Sequence, residues 1–517
     1  MHRRALFVSF VALLFIAASV SAQTLGAVLT SSQEVPACAA SGSGNATVTF
    51  DSTRQNIIVT ITVANLNSPI TIFHIHQGGP GVAGPVVVNL VGLGGQFVNG
   101  KMTGTFPIDA ATAQGILQNP NNFYVNVHTQ QCPGGAARGQ LAFVSGGPVM
   151  YFADLRSQNE VPPNGSTAIG GGLVTLDTVN STVAWDVVGS GLTSTATLSH
   201  IHRGPAGVAG PVIVNFATSQ SQIPNGRTTG FAPLSNQQTA GFTAADLTAL
   251  SSASTAAGYY VNLHTTNNPG GEIRGQLQAA QEFDIPVAGH VTNAIGQTFI
   301  TDVRLFNPSF TDSANAIIEF FQAGTSANTT PTASMPVSLP PRGTAVLNDI
   351  AGSSTLNVTA VGAIRIASAV PVIATSRIFV NTSNGSFGQF VPAFSRAQAL
   401  QHGVIPQVSN TLSAAAGFRS NVGFFNPNAN PVTVRIEARD PSGNSLGSNT
   451  ITLQALSQQQ NAIGTFFPGV DLSNTTNATL SFDASAPIFV YVSEVDNTSG
   501  DSFLIPAQSD PGVASNQ

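Results

Sequence analysis

Charge is what this 517-residue chain has least of: Asp, Glu, Lys and Arg make up 8% of it, and lysine occurs once, at Lys101. Helices usually carry charged side chains on their wet faces, so a composition ruled by Gly, Ser, Thr, Asn, Val and Ala favours strands and turns. The net charge of −6 is spread thinly, with no acidic or basic run after Arg4. Without a basic stripe to neutralise phosphates, nucleic acid is excluded as a partner. Cysteine is nearly absent too, with only Cys38 and Cys132. After residue 18 no apolar run approaches the roughly 20 residues that a membrane-spanning helix requires. With so little charge, 42% hydrophobic residues argue for packed domains over a disordered chain.

Residues 1–22 predict a secretory signal. Arg3 and Arg4 form its positive end, Ala5 to Ala18 its apolar stretch, and Val20-Ser21-Ala22 its small-x-small cleavage site. The expected location is secreted or in the cell envelope after cleavage near Ala22, with no membrane span in the mature chain. An even pair of cysteines in an exported chain predicts a Cys38–Cys132 disulfide.

Self-similarity organises the rest. "HIHQGGPGVAGPVVVNL" at 74–90 returns as "HIHRGPAGVAGPVIVNF" at 200–216, and "YVNVHTQQCPGGAARGQL" at 124–141 returns as "YVNLHTTNNPGGEIRGQL" at 260–277. Upstream, "SSQEVPACAASGSG" at 31–44 answers "RSQNEVPPNGSTAIGG" at 156–171. His200 follows His74 by 126 positions and His264 follows His128 by 136, so the second copy holds ten extra residues, expected in a loop near 217–256. The Ala-rich "LTALSSASTAAG" at 247–258 predicts short helices there. A different repeat follows, in which "FITDVRLFNPS" at 299–309 answers "FRSNVGFFNPN" at 418–428. Its short apolar runs, broken by Asn, Gly and Pro, have the pattern of an all-β sandwich. The expected order is signal 1–22, β domains at 23–146, 147–281, 282–398 and 399–508, and a tail at 509–517. The fold class is all-β: four tandem sandwich or barrel domains, the last two immunoglobulin-like and of another type.

The stretches "HIHxGxxGxxGPVVVNL" and "VNVHTxxxPGGxxRGQL", with "EVP" upstream, resemble the CHRD domain, the module named after chordin. The resemblance covers both copies, residues 24–280. It implies an extracellular, immunoglobulin-like β-barrel or sandwich. Chordin's growth-factor binding is not carried over, because its cysteine-rich repeats have no counterpart here.

Three histidines occupy matching positions in both copies: His74, His76 and His128, then His200, His202 and His264. Side chains two apart on a strand share a face, so each His-x-His pair can point one way and be joined by the third ring from a neighbouring strand. Three neutral imidazoles suit Cu or Zn and leave a coordination position open. The set is similar to the copper half of copper/zinc superoxide dismutase. It departs from that enzyme because no histidine and only one acid, Asp109, lie between His76 and His128, leaving no bridging histidine and no zinc ligands. The alternative is structural: histidines hydrogen-bonded to the Gly-rich turns that follow them.

Glu34 and Arg138 recur as Glu160 and Arg274. In a chain so poor in charge they predict an ion pair within each copy, the alternative being that the arginines guide anions toward an open metal position. Cys38 and Cys132 align with Asn164 and Asn268 in the second copy, so the cysteines are lost together, as a disulfide requires. The competing reading makes Cys132 a thiolate ligand beside His128. No G-x-S-x-G elbow, H-E-x-x-H helix, P-loop, C-x-x-C or pair of carboxylates is expected to supply a catalytic set. Two functions therefore stand: a non-enzymatic secreted module that binds an extracellular protein or surface partner, and a secreted copper protein with superoxide-dismutase-like redox activity.

Overall fold

The computed structural model describes residues 23–510, apart from 39–41, 52–53, 67, 99, 119, 145–147, 178–181, 251–255, 384, 412 and 414. The expected signal at 1–22 and most of the expected tail, 511–517, lie outside the described residues. The chain divides into two compact units, one ending at Gly147 and the other beginning at Pro148. It is all-β, as the composition requires.

The first unit is one antiparallel sheet built from β1 (Gln23–Thr30), β2 (Ser43–Phe50), β3 (Asn56–Ala64), β4 (Ile70–Gln77), β5 (Val86–Asn89), β6 (Lys101–Pro107), β7 (Phe123–Thr129), β8 (Ala137–Gln140) and β9 (Ala142–Val144). In space the strands run β5-β4-β7-β8-β1-β2-β3-β6, with β9 also on β1. Alternation explains the curl. Ile57, Val59, Ile61 and Val63 on β3 face one core that also takes Val88 from β5 and Phe106 from β6, the two ends of the sheet. Each such aliphatic side chain contributes about 1.5–3 kcal/mol on full burial. A helix, α1 (Ala110–Gln118), joins β6 to β7 and sends Ala113 and Ile116 into that core.

The second unit opens with the same sheet again. Its strands are β10 (Val149–Arg156), β11 (Ile169–Asp177), β12 (Thr182–Ser190), β13 (Ala196–Arg203), β14 (Val212–Ala217), β15 (Arg227–Pro233), β16 (Tyr259–Thr265) and β17 (Ile273–Ala279). They run β14-β13-β16-β17-β10-β11-β12-β15, the order of the first sheet strand for strand. The extra residues of this copy form α2 (Leu234–Gln237), α3 (Ala244–Leu250) and a single helical turn at Ala256–Gly258. Short helices thus stand in the expected loop, although α3 begins three residues earlier than the Ala-rich stretch.

Beyond Ala280, two five-stranded sheets between Gln281 and Ser395 enclose Ile285, Val303, Leu305, Ile318, Phe320 and Ile364. A last sheet, from Leu400 to Ser509, is organised round the 22-residue strand Thr475–Asp496. The "FNP" repeat has a structural reason. Asn307 and Asn426, both fully buried, each donate from Nδ2 to three backbone carbonyls: of Asp312, Leu339 and Pro340, and of Asn430, Leu453 and Gln454.

Candidate metal centre

Period-two alternation decides which side chains meet. On β4, Phe73 and Ile75 enter the core, so His74 and His76 face outward; on β7, Phe123, Val125 and Val127 enter it, so Tyr124, Asn126 and His128 face outward. Register then sets the neighbours: His74 opposite Asn126, His76 opposite Tyr124, Ile72 opposite His128, and Asn126 opposite Arg138 on β8. This outer face is covered, because β7 is buried along its whole length. The Gly-rich loop 78–85 folds over it, held where Arg138 Nη2 donates to Gly79 O at 2.9 Å and Gln140 Nε2 to Gly78 O at 3.0 Å.

The three rings of the first copy converge. His74, His76 and His128 are 7%, 8% and 5% exposed, and one ring nitrogen from each lies within 4.8 Å of the other two. An ion about 2 Å from each nitrogen would hold them roughly 3.5 Å apart, within reach of small ring rotations. The opposite nitrogens are occupied by backbone carbonyls: His76 Nδ1 meets Gly84 O at 2.9 Å and His128 Nδ1 meets Pro133 O at 3.0 Å. A carbonyl only accepts, so both Nδ1 atoms carry the proton and both lone pairs sit on Nε2. Among the described residues, His74 Nδ1, His76 Nε2 and His128 Nε2 are buried without a hydrogen-bond partner. Gly84 must be glycine for this to work, since a Cβ there would stand 1.6 Å from Gln77 O.

The second copy repeats the three-ring set, with one difference: two of its rings hydrogen-bond each other, and of its ring nitrogens only His202 Nε2 is buried without a partner. His200, His202 and His264 form the same buried set within 4.8 Å. His202 Nδ1 meets Gly210 O at 2.8 Å, His264 Nδ1 meets Pro269 O at 2.9 Å, and His200 Nδ1 faces His264 Nε2 at 3.3 Å. A Cβ on Gly210 would lie 1.7 Å from Arg203 O. Burial, and then the neighbouring rings, push His74 down to about 4 and His200 down to about 3. The other four histidines are also lowered, chiefly by burial. All six rings are therefore neutral near pH 7, the form that ligates metal.

A stacked column holds the second ring of each set. His76 lies parallel to Tyr124, with centroids 4.8 Å apart at 9°, and the Arg138 guanidinium covers the other face of Tyr124 at 3.5 Å. Tyr124 Oη accepts from Gly84 N at 3.1 Å, so one tyrosine fixes both the ring and the loop that caps it. In the second copy Tyr260 does the same between His202 and Arg274, and Gly210 N donates to Tyr260 Oη. These tyrosines and Asn126 and Asn262 were not singled out from the sequence. Their signal was the period-two "YVNVH" and "YVNLH", repeated in both copies.

The expected ion pairs are not formed: among the described residues, Glu34 and Arg138, and Glu160 and Arg274, do not meet as contact pairs within 4.0 Å. The physical reason is competition. Each guanidinium is spent on its tyrosine face and on carbonyls, those of Gly79 in the first copy and of Pro205 and Val208 in the second. Glu34 instead takes a hydrogen bond from Asn126 Nδ2 at 3.3 Å and packs on Gly135, whose φ of +136° leaves room only for a glycine. Burial pushes Glu34 and Glu160 up to about 7. The acids do not face bulk solvent either; both are buried. Cys38 and Cys132 are bonded to each other, with Cα atoms 6.0 Å apart, which removes the thiolate-ligand reading. A G-x-S-x-G spacing does occur, against the expectation from the sequence, but without the setting of an elbow. "GNSLG" at 443–447 has the spacing of a hydrolase nucleophile elbow, but it lies at the turn between strands Val432–Arg439 and Ser445–Leu453, where no helix follows.

The family model of the CHRD domain matches residues 25–141 and 151–277. This chain carries two tandem CHRD domains. Their limits coincide with the two eight-stranded sheet orders, so each histidine set belongs to one CHRD domain. CHRD domains are β modules of the secreted type, and the Cys38–Cys132 bond fits an extracellular protein. No curated protein matches the chain. Among solved structures, that of Thermotoga maritima 1070 is similar over 22% of this chain and 97% of that one, at 8% identity and a TM-score of 0.19, too low to carry an argument. No helix among the described residues is long and apolar enough to cross a membrane.

Proposed function

We propose that this is an extracellular metal-binding protein in which each CHRD domain holds one Cu or Zn ion on three imidazoles. The observation that carries the reading is the pinning of the tautomers. Backbone carbonyls take the Nδ1 protons of His76, His128, His202 and His264, which aims their lone pairs at a shared point. A purely structural histidine cluster has no need of unpartnered buried nitrogens, which cost about 1–3 kcal/mol each. Metal-free full-length protein should take up two equivalents of Cu or Zn at neutral pH, measured by metal analysis after dialysis. Uptake of none, or uptake unchanged when His128 and His264 are replaced by alanine, would sink the proposal.

A second reading, that the chain also docks on an extracellular partner, is favoured by one surface. Val346, Ile373 and Phe390, 60%, 54% and 59% exposed, lie on one face of the sheet formed by strands Thr298–Phe306, Thr344–Leu347, Ile373–Thr382 and Gly385–Pro392, together with Arg304 and Arg377. Replacing the three apolar residues by serine should abolish capture of that partner and leave metal uptake intact.

A further inference from the structure

The two third histidines depend on matching short loops. Pro133 O and Pro269 O, which hold His128 and His264, sit in turns closed by the same backbone bonds: Gly135 N to Cys132 O and Gly271 N to Asn268 O, both 3.0 Å. Both turns are also anchored alike, Gln131 N to Ser68 Oγ and Gln130 N to Pro69 O in the first domain answering Asn267 N to Ser194 Oγ and Thr266 N to Thr195 O in the second. One further tie differs.

In the second domain the tie is a carboxylate. Glu272, fully buried, accepts from Ser166 Oγ at 2.6 Å, Thr193 N at 2.8 Å, Thr193 Oγ1 at 2.9 Å and Thr265 Oγ1. Asn164 Nδ2 adds bonds to Gly271 O and Glu272 O, and Asn268 Nδ2 one to Thr193 Oγ1. In the first domain Ala136 stands at the Glu272 position, and Cys38 and Cys132 stand where Asn164 and Asn268 do. A single covalent bond replaces the whole polar hub. Without it, the first turn keeps only the ties that both domains share, with Cys132 N to Thr129 Oγ1, like Asn268 N to Thr265 Oγ1, a bond inside the turn itself.

We propose that the disulfide and Glu272 are the positioning groups of the two metal sites, and that a dithiol reductant in the surroundings loosens the first site while sparing the second. The inference rests on the metal-binding reading. Cys132 is 3% exposed and Cys38 more open, so the reductant's thiolate attacks the Cys38 sulfur. Two electrons and two protons pass from the dithiol: the Cys38–Cys132 bond breaks, two thiols form, and the reductant closes into its own disulfide. The turn then gives up its hold on Pro133, and the His128 ring loses the acceptor that fixes its tautomer. The second domain contains no bond that a dithiol can open.

The test uses full-length protein and Zn(II), which is redox-inert, in competition with a chromophoric chelator. Replacing both cysteines, Cys38→Ser with Cys132→Ser, should weaken one of two sites about 10–100-fold, the usual cost of a lost outer-shell partner. The weakened site should be the one that His128→Ala removes. Introducing Cys38→Asn, Cys132→Asn, Ala136→Glu, Ala40→Ser and Asn67→Thr together, which supplies the second domain's carboxylate and its side-chain donors, should restore that affinity in the presence of dithiol; a generally damaged fold would not be rescued this way. Hydrogen exchange should quicken at 129–136 on reduction and stay unchanged at 265–272. Equal weakening of both sites, unchanged affinity of both, or exchange that quickens equally in both turns overturns the inference. Wild-type protein that binds no zinc at all would instead defeat the metal reading, and the exchange comparison would still decide whether the two turns are locked differently.

Discussion

Protons compete with metal for the same nitrogens, so the depressed histidines make a sharp prediction about acidification. An ordinary imidazole with a pKa of 6.5 is ~9% neutral at pH 5.5, and three of them would weaken binding about 10³-fold between pH 7 and 5.5. His74, pushed down to about 4 by burial and by His128 and His76, is still ~97% neutral at pH 5.5. With His76 and His128 lowered as well, the loss over that interval should fall well short of the loss for three ordinary rings. The second domain, with His200 near 3, should release its ion at lower pH than the first. Zinc titrations at half-unit steps of pH read this directly. A fall of two to three decades with a midpoint near 6.5 in both domains would refute the reasoning, because it would mean that the rings are solvated. The metal-free fold carries the matching signature. Its histidines lie below their unfolded value, so the unfolded chain binds more protons in the window between about 4 and 6.5; stability is complete above that window and falls as pH drops through it.

Three further outcomes are expected. His128→Ala and His264→Ala should each reduce bound metal from two equivalents to one, and the pair to none, by elemental analysis. Gly84→Ala forces a Cβ to within 1.6 Å of Gln77 O, so the loop must move and surrender the carbonyl that fixes His76; zinc affinity in the first domain should fall about 10–100-fold with the second unchanged. Glu282, Asp284 and Glu319 share Arg365 and Arg396, an excess of one buried acid, and burial raises both Asp284 and Glu319. An acid raised in the fold contributes stability that is complete only below its unfolded value and is lost as pH rises from there through its folded value, so Asp284→Asn should melt close to the wild type near pH 4 and increasingly above it as pH rises to 9, by calorimetry.

Repetition in the sequence marked the histidines, because two diverged copies hold six rings at matching positions while Gln77 became Arg203 and both cysteines vanished. What those rings are held by was less legible, since it depends on register, which no single strand encodes. Tyr124 matters only because β7 pairs with β4 so that it stands opposite His76. Arg138 reads in the sequence as a partner for the recurring acid; in space, stacking on a flat ring and donating to loop carbonyls satisfies the guanidinium without a carboxylate. The repeat comparison saw the cysteines replaced by asparagines but passed over Ala136 against Glu272, a substitution that looks like surface drift until four donors are found round one buried carboxylate. α1 was overlooked although Asp109 announces it, its carboxylate capping the helix by accepting from Thr112 N at 2.9 Å; the short "AATAQGILQ" itself carries no charge, and the core contacts of Ala113 and Ile116 help hold it in place. Where a side chain acts on its own strand, period and repeat suffice to find it. Where it acts by completing a neighbour's hydrogen bonds, as Tyr124 and Glu272 do, only the pairing of strands reveals it, and those are the residues on which the two histidine sets differ or agree.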